Sequence, residues 1–143
     1  MPTVSPFYDA GQDITVSASA GLTGGRCVGL PTGRNPGGPA GISDIGDGLL
    51  ICGLPTLNGE VYGVAAYDCP SGGRTEVMKA PKHVPIECNA AVAQGSLVSV
   101  NADGTVKVAA TGQVAVGRHH GPATTAPGQY CQVEMFLGRI LAP

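Results

Sequence analysis

The chain has 143 residues, of which 43% are hydrophobic, so it can close a core of its own without metal or disulfide help. Only 4% of the residues are aromatic and 13% charged, while 23 glycines and 12 prolines leave few windows of helical length. The formal net charge of −2 lacks the basic excess that nucleic-acid binding requires, and no apolar run approaches the ~20 residues of a membrane-spanning helix.

In chain order, residues 1–12 read as an extended arm carrying Pro2, Pro6 and the adjacent aromatics Phe7 and Tyr8. The opening residues show neither the basic nor the apolar part of a secretion signal, which sets synthesis in a cytoplasm as the expectation. Residues 13–20 alternate, with Ile14, Val16, Ala18 and Ala20 on one face, as a half-buried strand does. A turn over residues 22–25 leads into a strand over 26–30. Residues 31–48, rich in Gly and Pro, read as a long exposed loop. Strands follow over 49–52 and 61–65, separated by a turn at Asn58-Gly59, a dipeptide that favours the positive φ of a hairpin. A turn at residues 71–73 precedes a strand over 74–78, and residues 81–86, with two prolines, link to the second half. There, the run over 86–100 leads through a turn at residues 101–104, with its Asp103-Gly104 pair, into residues 105–108, the clearest hairpin signal in the chain. Strands over 113–117 and 129–137 close the domain.

The two halves resemble each other. Val16, Ala18, Ala20, Leu22, Gly25 and Val28 match Ile86, Cys88, Ala90, Val92, Gly95 and Val98 without a gap, 70 residues apart. Residues 62–65 match 114–117 across a gap. The expectation is an arm over 1–12 and a single all-β domain over 13–143, built from pseudo-repeats at about 13–80 and 83–143. Each unit is too small to hide its apolar face alone, so together they form a compact β-sandwich or small barrel around a shared core.

No motif for catalysis or phosphate binding is present. Cys27, Cys52, Cys69, Cys88 and Cys131 are widely spaced, odd in number and without CxxC, and read as buried reduced thiols. His119 and His120 are adjacent and point to opposite faces if on a strand, which does not chelate a metal. His83 and Cys88 lack further ligands nearby. No catalytic, cofactor-binding or metal residue is assigned, and no cofactor is expected. A metal-dependent β-barrel enzyme using these histidines and thiols stays as one competing class. A carbohydrate-binding or adhesin-like module is another, disfavoured by the shortage of aromatic rings for sugar stacking.

The run from Pro6 to Thr15, followed by Thr23-Gly24-Gly25-Arg26-Cys27-Val28, resembles capsid decoration (cement, head-stabilising) proteins of tailed phages, especially those of actinobacterial hosts. Gly95-Ser96-Leu97-Val98-Ser99-Val100 and Val114-Ala115-Val116-Gly117, around an Asp-Gly turn, resemble the wider family of small phage cement proteins. The long loop and the cysteines depart from that pattern. The resemblance implies a β-rich, non-enzymatic structural protein of the virion exterior. It implies homotrimers at three-fold and quasi-three-fold positions, with the major capsid protein and the chain itself as partners and neither nucleic acid nor membrane. It further implies that the terminal arm lies on the major capsid protein, with Thr3, Val4, Phe7, Tyr8 and Ile14 as contacts to the capsid or a neighbouring subunit. Phe7 and Tyr8 are the expected anchors, because aromatics dominate such hot spots. The competing reading is that they cap the core of their own domain.

Overall fold

The computed structural model describes residues 13–35 and 48–143, and every regular element among them is a β-strand. The first half supplies β1 (Ile14–Ala18), β2 (Cys27–Gly29), β3 (Gly33–Arg34), β4 (Leu50–Cys52), β5 (Val61–Ala65) and β6 (Arg74–Met78). They form one sheet in the order β2-β5-β6-β1-β4-β3. The second half supplies β7 (His83–Glu87), β8 (Leu97–Val100), β9 (Val106–Val108), β10 (Val114–His119) and β11 (Tyr130–Leu141), in the order β7-β11-β10-β8-β9.

Both sheets curl toward closure. In the first, β4 runs parallel to β1, and Gly29 N donates to Gly53 O at 2.8 Å, which ties β2 to the residue following β4. In the second, a parallel bridge between Cys88 and Val106 returns β9 to the end of β7. The all-β sandwich or small barrel expected from the Gly-punctuated Val and Thr runs is what forms.

Four local expectations change. Part of the long loop is strand, because Gly33 and Arg34 pair with Ile51 and Leu50 as β3. Asn58 does adopt a positive φ of 58°, but β4 and β5 are not hairpin partners, since β4 is taken by β1 and β3. The supposed linker over 81–86 is largely β7. Val84, Ile86 and Cys88 alternate inward, and Pro85 is tolerated because β7 pairs on one side with β11. The last strand runs on to Leu141 with a shift in register, pairing Gly117 with Met135 but Ala115 with Ile140, so residues 136–139 are extruded as a bulge with Gly138 at φ 85°.

Many of the hydrogen bonds of one half recur in the other. β1–β6 pairs Val16 with Thr75 and Ile14 with Val77; β7–β11 pairs Ile86 with Cys131 and Val84 with Val133. Leu22 and Cys69 exchange two backbone bonds, as do Val92 and Thr124. Gly25 N donates to Ala65 O, and Gly95 N to His119 O. The first strands keep the 70-residue offset read from sequence. The fourth strand of the repeat, β5 in the first half and β10 in the second, does not keep the sequence alignment: Val28 pairs with Gly63 and Val98 with Gly117, so Gly63 corresponds to Gly117 and Val64 to Arg118. Sequence similarity favoured Val64 with Val116, which lies two residues away.

The interior divides into two clusters rather than the one shared core expected. Val16, Ala18, Leu22, Val28, Cys52, Ala65, Cys69 and Val77 fill the first half. The second cluster centres on Ile86, Val92, Val98, Val106 and Val133, and it also takes in Cys27 and Val64 from the first half. The join is hydrogen-bonded as well as apolar. Glu87 N donates to Gly25 O, Cys27 N to Gly104 O and Asn58 N to Val100 O, each at 2.8–2.9 Å. Arg26 grips Glu87 with two bonds of 3.1 and 3.0 Å, and this bidentate pairing raises the guanidinium pKa.

Candidate functional site

Of the residues assigned to partner contact, Thr3, Val4, Phe7 and Tyr8 lie outside the described residues. Ile14 opens β1, opposite Val77, and packs half-buried against the first cluster. Immediately before it, the exposed carboxylate of Asp13 accepts a hydrogen bond from the Lys82 ammonium, which ties the start of β1 to the residue preceding β7.

The histidines divide into one structural residue and a surface pair. His119 is fully buried at the end of β10. Its Nδ1 accepts from Gln132 N–H at 3.1 Å, so the ring proton sits on Nε2 and is donated to Pro122 O at 2.8 Å. Both nitrogens are thereby committed to backbone. His120 and His83 stack on the surface, ring centroids 5.8 Å apart, beside Glu134 on β11. His120 Nε2 lies 2.8 Å from the carboxylate, and this hydrogen bond holds Glu134 below the usual carboxylate range. Among the described residues no group of three His, Cys, Asp or Glu side chains is arranged to hold a metal ion.

All five thiols are buried and unpaired. Desolvation pushes Cys27 up to about 12, and desolvation together with the neighbouring Cys88 pushes Cys131 to about 12. Burial raises Cys52 as well. A thiol so shifted is protonated at neutral pH and is a poor nucleophile or metal ligand. His83 is not adjacent to any of them in a hydrogen bond or ion pair; its partner is Glu134.

What the surface does offer is apolar relief. At the join of the halves, a cleft of about 270 Å³ runs between Lys79 and Ala80 on one side and Phe136, Leu137 and Gly138 on the other, over Val61 and Tyr62. A deeper recess of about 90 Å³ shares that lining and reaches Val114, Val116 and Met135. Lys79 Nζ sits 4.4 Å from the centroid of the Tyr62 ring, a cation–π contact at the rim. Leu137 is 69% exposed, and Ile140 and Leu141 beyond it are also exposed. A second cleft, of about 420 Å³, lies at the far turns of the first half between Leu30, Pro31 and Leu54, two of which are half-exposed leucines. Such walls suit the burial of side chains. Sequence reasoning missed the first cleft because it treated residues 129–137 as one regular strand. The available signal was Gly138, which allows the positive φ that extrudes the bulge.

No family model matches the chain, and no curated protein does. Among solved structures, the chain is similar to the head fiber gp8.5 N base of bacteriophage phi29. The TM-score is 0.64 and the identity 15%, over 90% of this chain and 96% of that one. At that identity the likeness is one of fold.

Proposed function

We propose that this chain is a structural protein of a phage head: a capsid decoration protein that binds the outer surface of a mature icosahedral shell and stabilises it. The observation that carries the reading is the fold match, which spans nearly the whole of both chains and falls on a protein of a phage head. The motif resemblance around Asp13 and Gly95 points the same way from an independent direction. The described surface adds apolar clefts and a structurally committed buried histidine, features that fit docking without turnover.

In this reading the partners are the major capsid protein and two further copies of the chain, grouped at three-fold and quasi-three-fold positions, with no cofactor. Three weak contacts made together hold with avidity, and a protein that binds only the mature lattice stabilises that lattice by mass action. Residues 1–12 lie on the capsid in the docked state, with Phe7 and Tyr8 as anchors. Cryo-EM of mature heads incubated with the purified protein tests this directly. Density with three-fold grouping on the shell is expected, and a chain lacking residues 1–12 should lose the density while still folding and unfolding cooperatively. Heads left bare by the full-length protein would overturn the reading.

The same fold match favours one alternative, since the similar protein is the base of a head fiber. A surface module of the adhesin type would bind cells or glycans, and retention on a glycan array without binding to heads would select it.

A further inference from the structure

We propose that in the free protein the cleft at the join of the halves is the seat of the chain's own N-terminal arm, filled by Phe7 and Tyr8. The proposal goes beyond docking on a shell, because it concerns the protein before it meets one.

Three observations lead to it. Among the described residues, the cleft lies beside a strand edge without a partner. β7 accompanies β11 only as far as the pairing of His83 with Glu134 and the bond from Met135 N to Lys82 O. From Phe136 to Gly138 that flank of β11 is left to the cleft, with Leu137 standing 69% exposed above it. An apolar wall next to unpaired strand edge is a place where an extended segment gains both side-chain burial and backbone bonds.

The second observation is where the described chain begins. Asp13 is tied to Lys82, and Lys82 is two residues beyond Ala80 in the cleft wall. Phe7 stands six residues before Asp13, a reach of at most roughly 20 Å when extended. A segment tethered this closely competes for the cleft at an effective concentration on the order of millimolar, so it is favoured over the arm of a second copy at ordinary protein concentrations.

The third is complementarity. Residues 1–12 hold one charged side chain, Asp9, next to the two aromatics. The cleft matches this with apolar walls from Val61, Ala80 and Phe136 and one cation at its rim, Lys79.

Chymotrypsin cutting after Phe7 and Tyr8 reads the occupancy, because proteolysis of a docked segment tracks the fraction undocked. In the full-length protein the arm should be cut at least about tenfold more slowly than a free peptide of the same sequence or the arm of a Leu137→Asp variant, and dilution should leave the rate unchanged. Leu137 is exposed, so the variant is expected to fold and to melt no lower than a chain lacking residues 1–12. As a second readout, a photo-crosslinking residue at position 7 should form intramolecular links to the segments containing Tyr62, Ala80 or Phe136. Equal cutting of protein and peptide, protection that vanishes on dilution, or crosslinks only between chains would each overturn the proposal. Binding to heads is scored separately: heads that still bind the protein with an unprotected arm would leave the docking reading intact and reject this one alone.

Discussion

The two halves share a hydrogen-bond frame and put it to different uses. In the first, the face around Cys27, Val64 and Met78 is apolar and packs into the second cluster. In the second, the corresponding positions are Leu97, Arg118 and Glu134, with His120 and His83 alongside. Arg118 Nη1 is spent on Gly95 O at 2.7 Å, and Glu134 on His120. The units are therefore stacked head to tail rather than about a two-fold axis, and the charged face ends the stack. That is how a terminal repeat stays soluble while its neighbour keeps an apolar contact face. A second difference is the connection after the second strand. The second half turns from β8 to β9 through Asn101 and Gly104, whereas the first inserts β3 and the residues beyond it before β4. The frame tolerates the insertion because Gly29 N still reaches Gly53 O, as β8 reaches β9.

The strongest test of the shared frame is at Gly63 and Gly117. A Cβ at Gly63 would stand 2.4 Å from Val77 Cγ1 and 2.5 Å from Met78 O, and at Gly117 2.4 Å from Val133 Cγ1 and from Glu134 O. Alanine at either position is expected to cost about 3 kcal/mol or more, as a fall in denaturant midpoint of similar size in both. Tolerance at one site and not the other would break the equivalence.

His119 comes next, because its counterpart in the first half is Ala65. His119→Ala leaves Gln132 N–H and Pro122 O unpaired beside a cavity and should cost about 3 kcal/mol in chemical unfolding, while Ala65→Gly should cost about 1 kcal/mol.

The Asp103 turn distinguishes the tight connection from the long one. Thr105 donates to Asp103 from both its hydroxyl and its backbone N–H, which holds the carboxyl below its ordinary value. A depressed folded value stabilises the protein above the unfolded one. That contribution is whole above about pH 4 and fades as pH falls through the depressed value. Asp103→Ala is expected to cost about 1 kcal/mol at pH 7 and to flatten the acid limb of the melting-temperature profile.

The smallest effect on the fold is expected for Arg118→Val with Glu134→Met, which copies the apolar face of the first half onto the second. Melting should shift by less than about 1 kcal/mol equivalent. Sedimentation should show concentration-dependent association beyond that of the parent. A variant that associates no more than the parent would mean that the charged face does not end the stack.

Much of the fold was legible in sequence where side chains alternate against a single face. Val16 and Ala18, Val98 and Val100, and the Asp103-Gly104 turn all fall where local pattern places them, because a period of two and a positive φ are local properties. β7 was misread because Pro85 marks a break locally, although a strand paired on one side loses nothing by it. The alignment of Val64 with Val116 failed because similar side chains were matched, whereas the hydrogen bonds match backbone positions. Of the candidate contacts, only Ile14 falls within the described residues, and the cleft was invisible because its walls come from three separated segments.

The sequence by itself determined an all-β chain, the positions of most strands and turns, and the burial of its thiols, since composition and two-residue periodicity act over a few neighbours. Tertiary structure alone decided that there are two cores, that the halves stack head to tail, and that a cleft opens beside the bulge in β11. Those outcomes depend on which strand edges meet and which faces they cover, and distant residues settle that jointly through packing and backbone pairing.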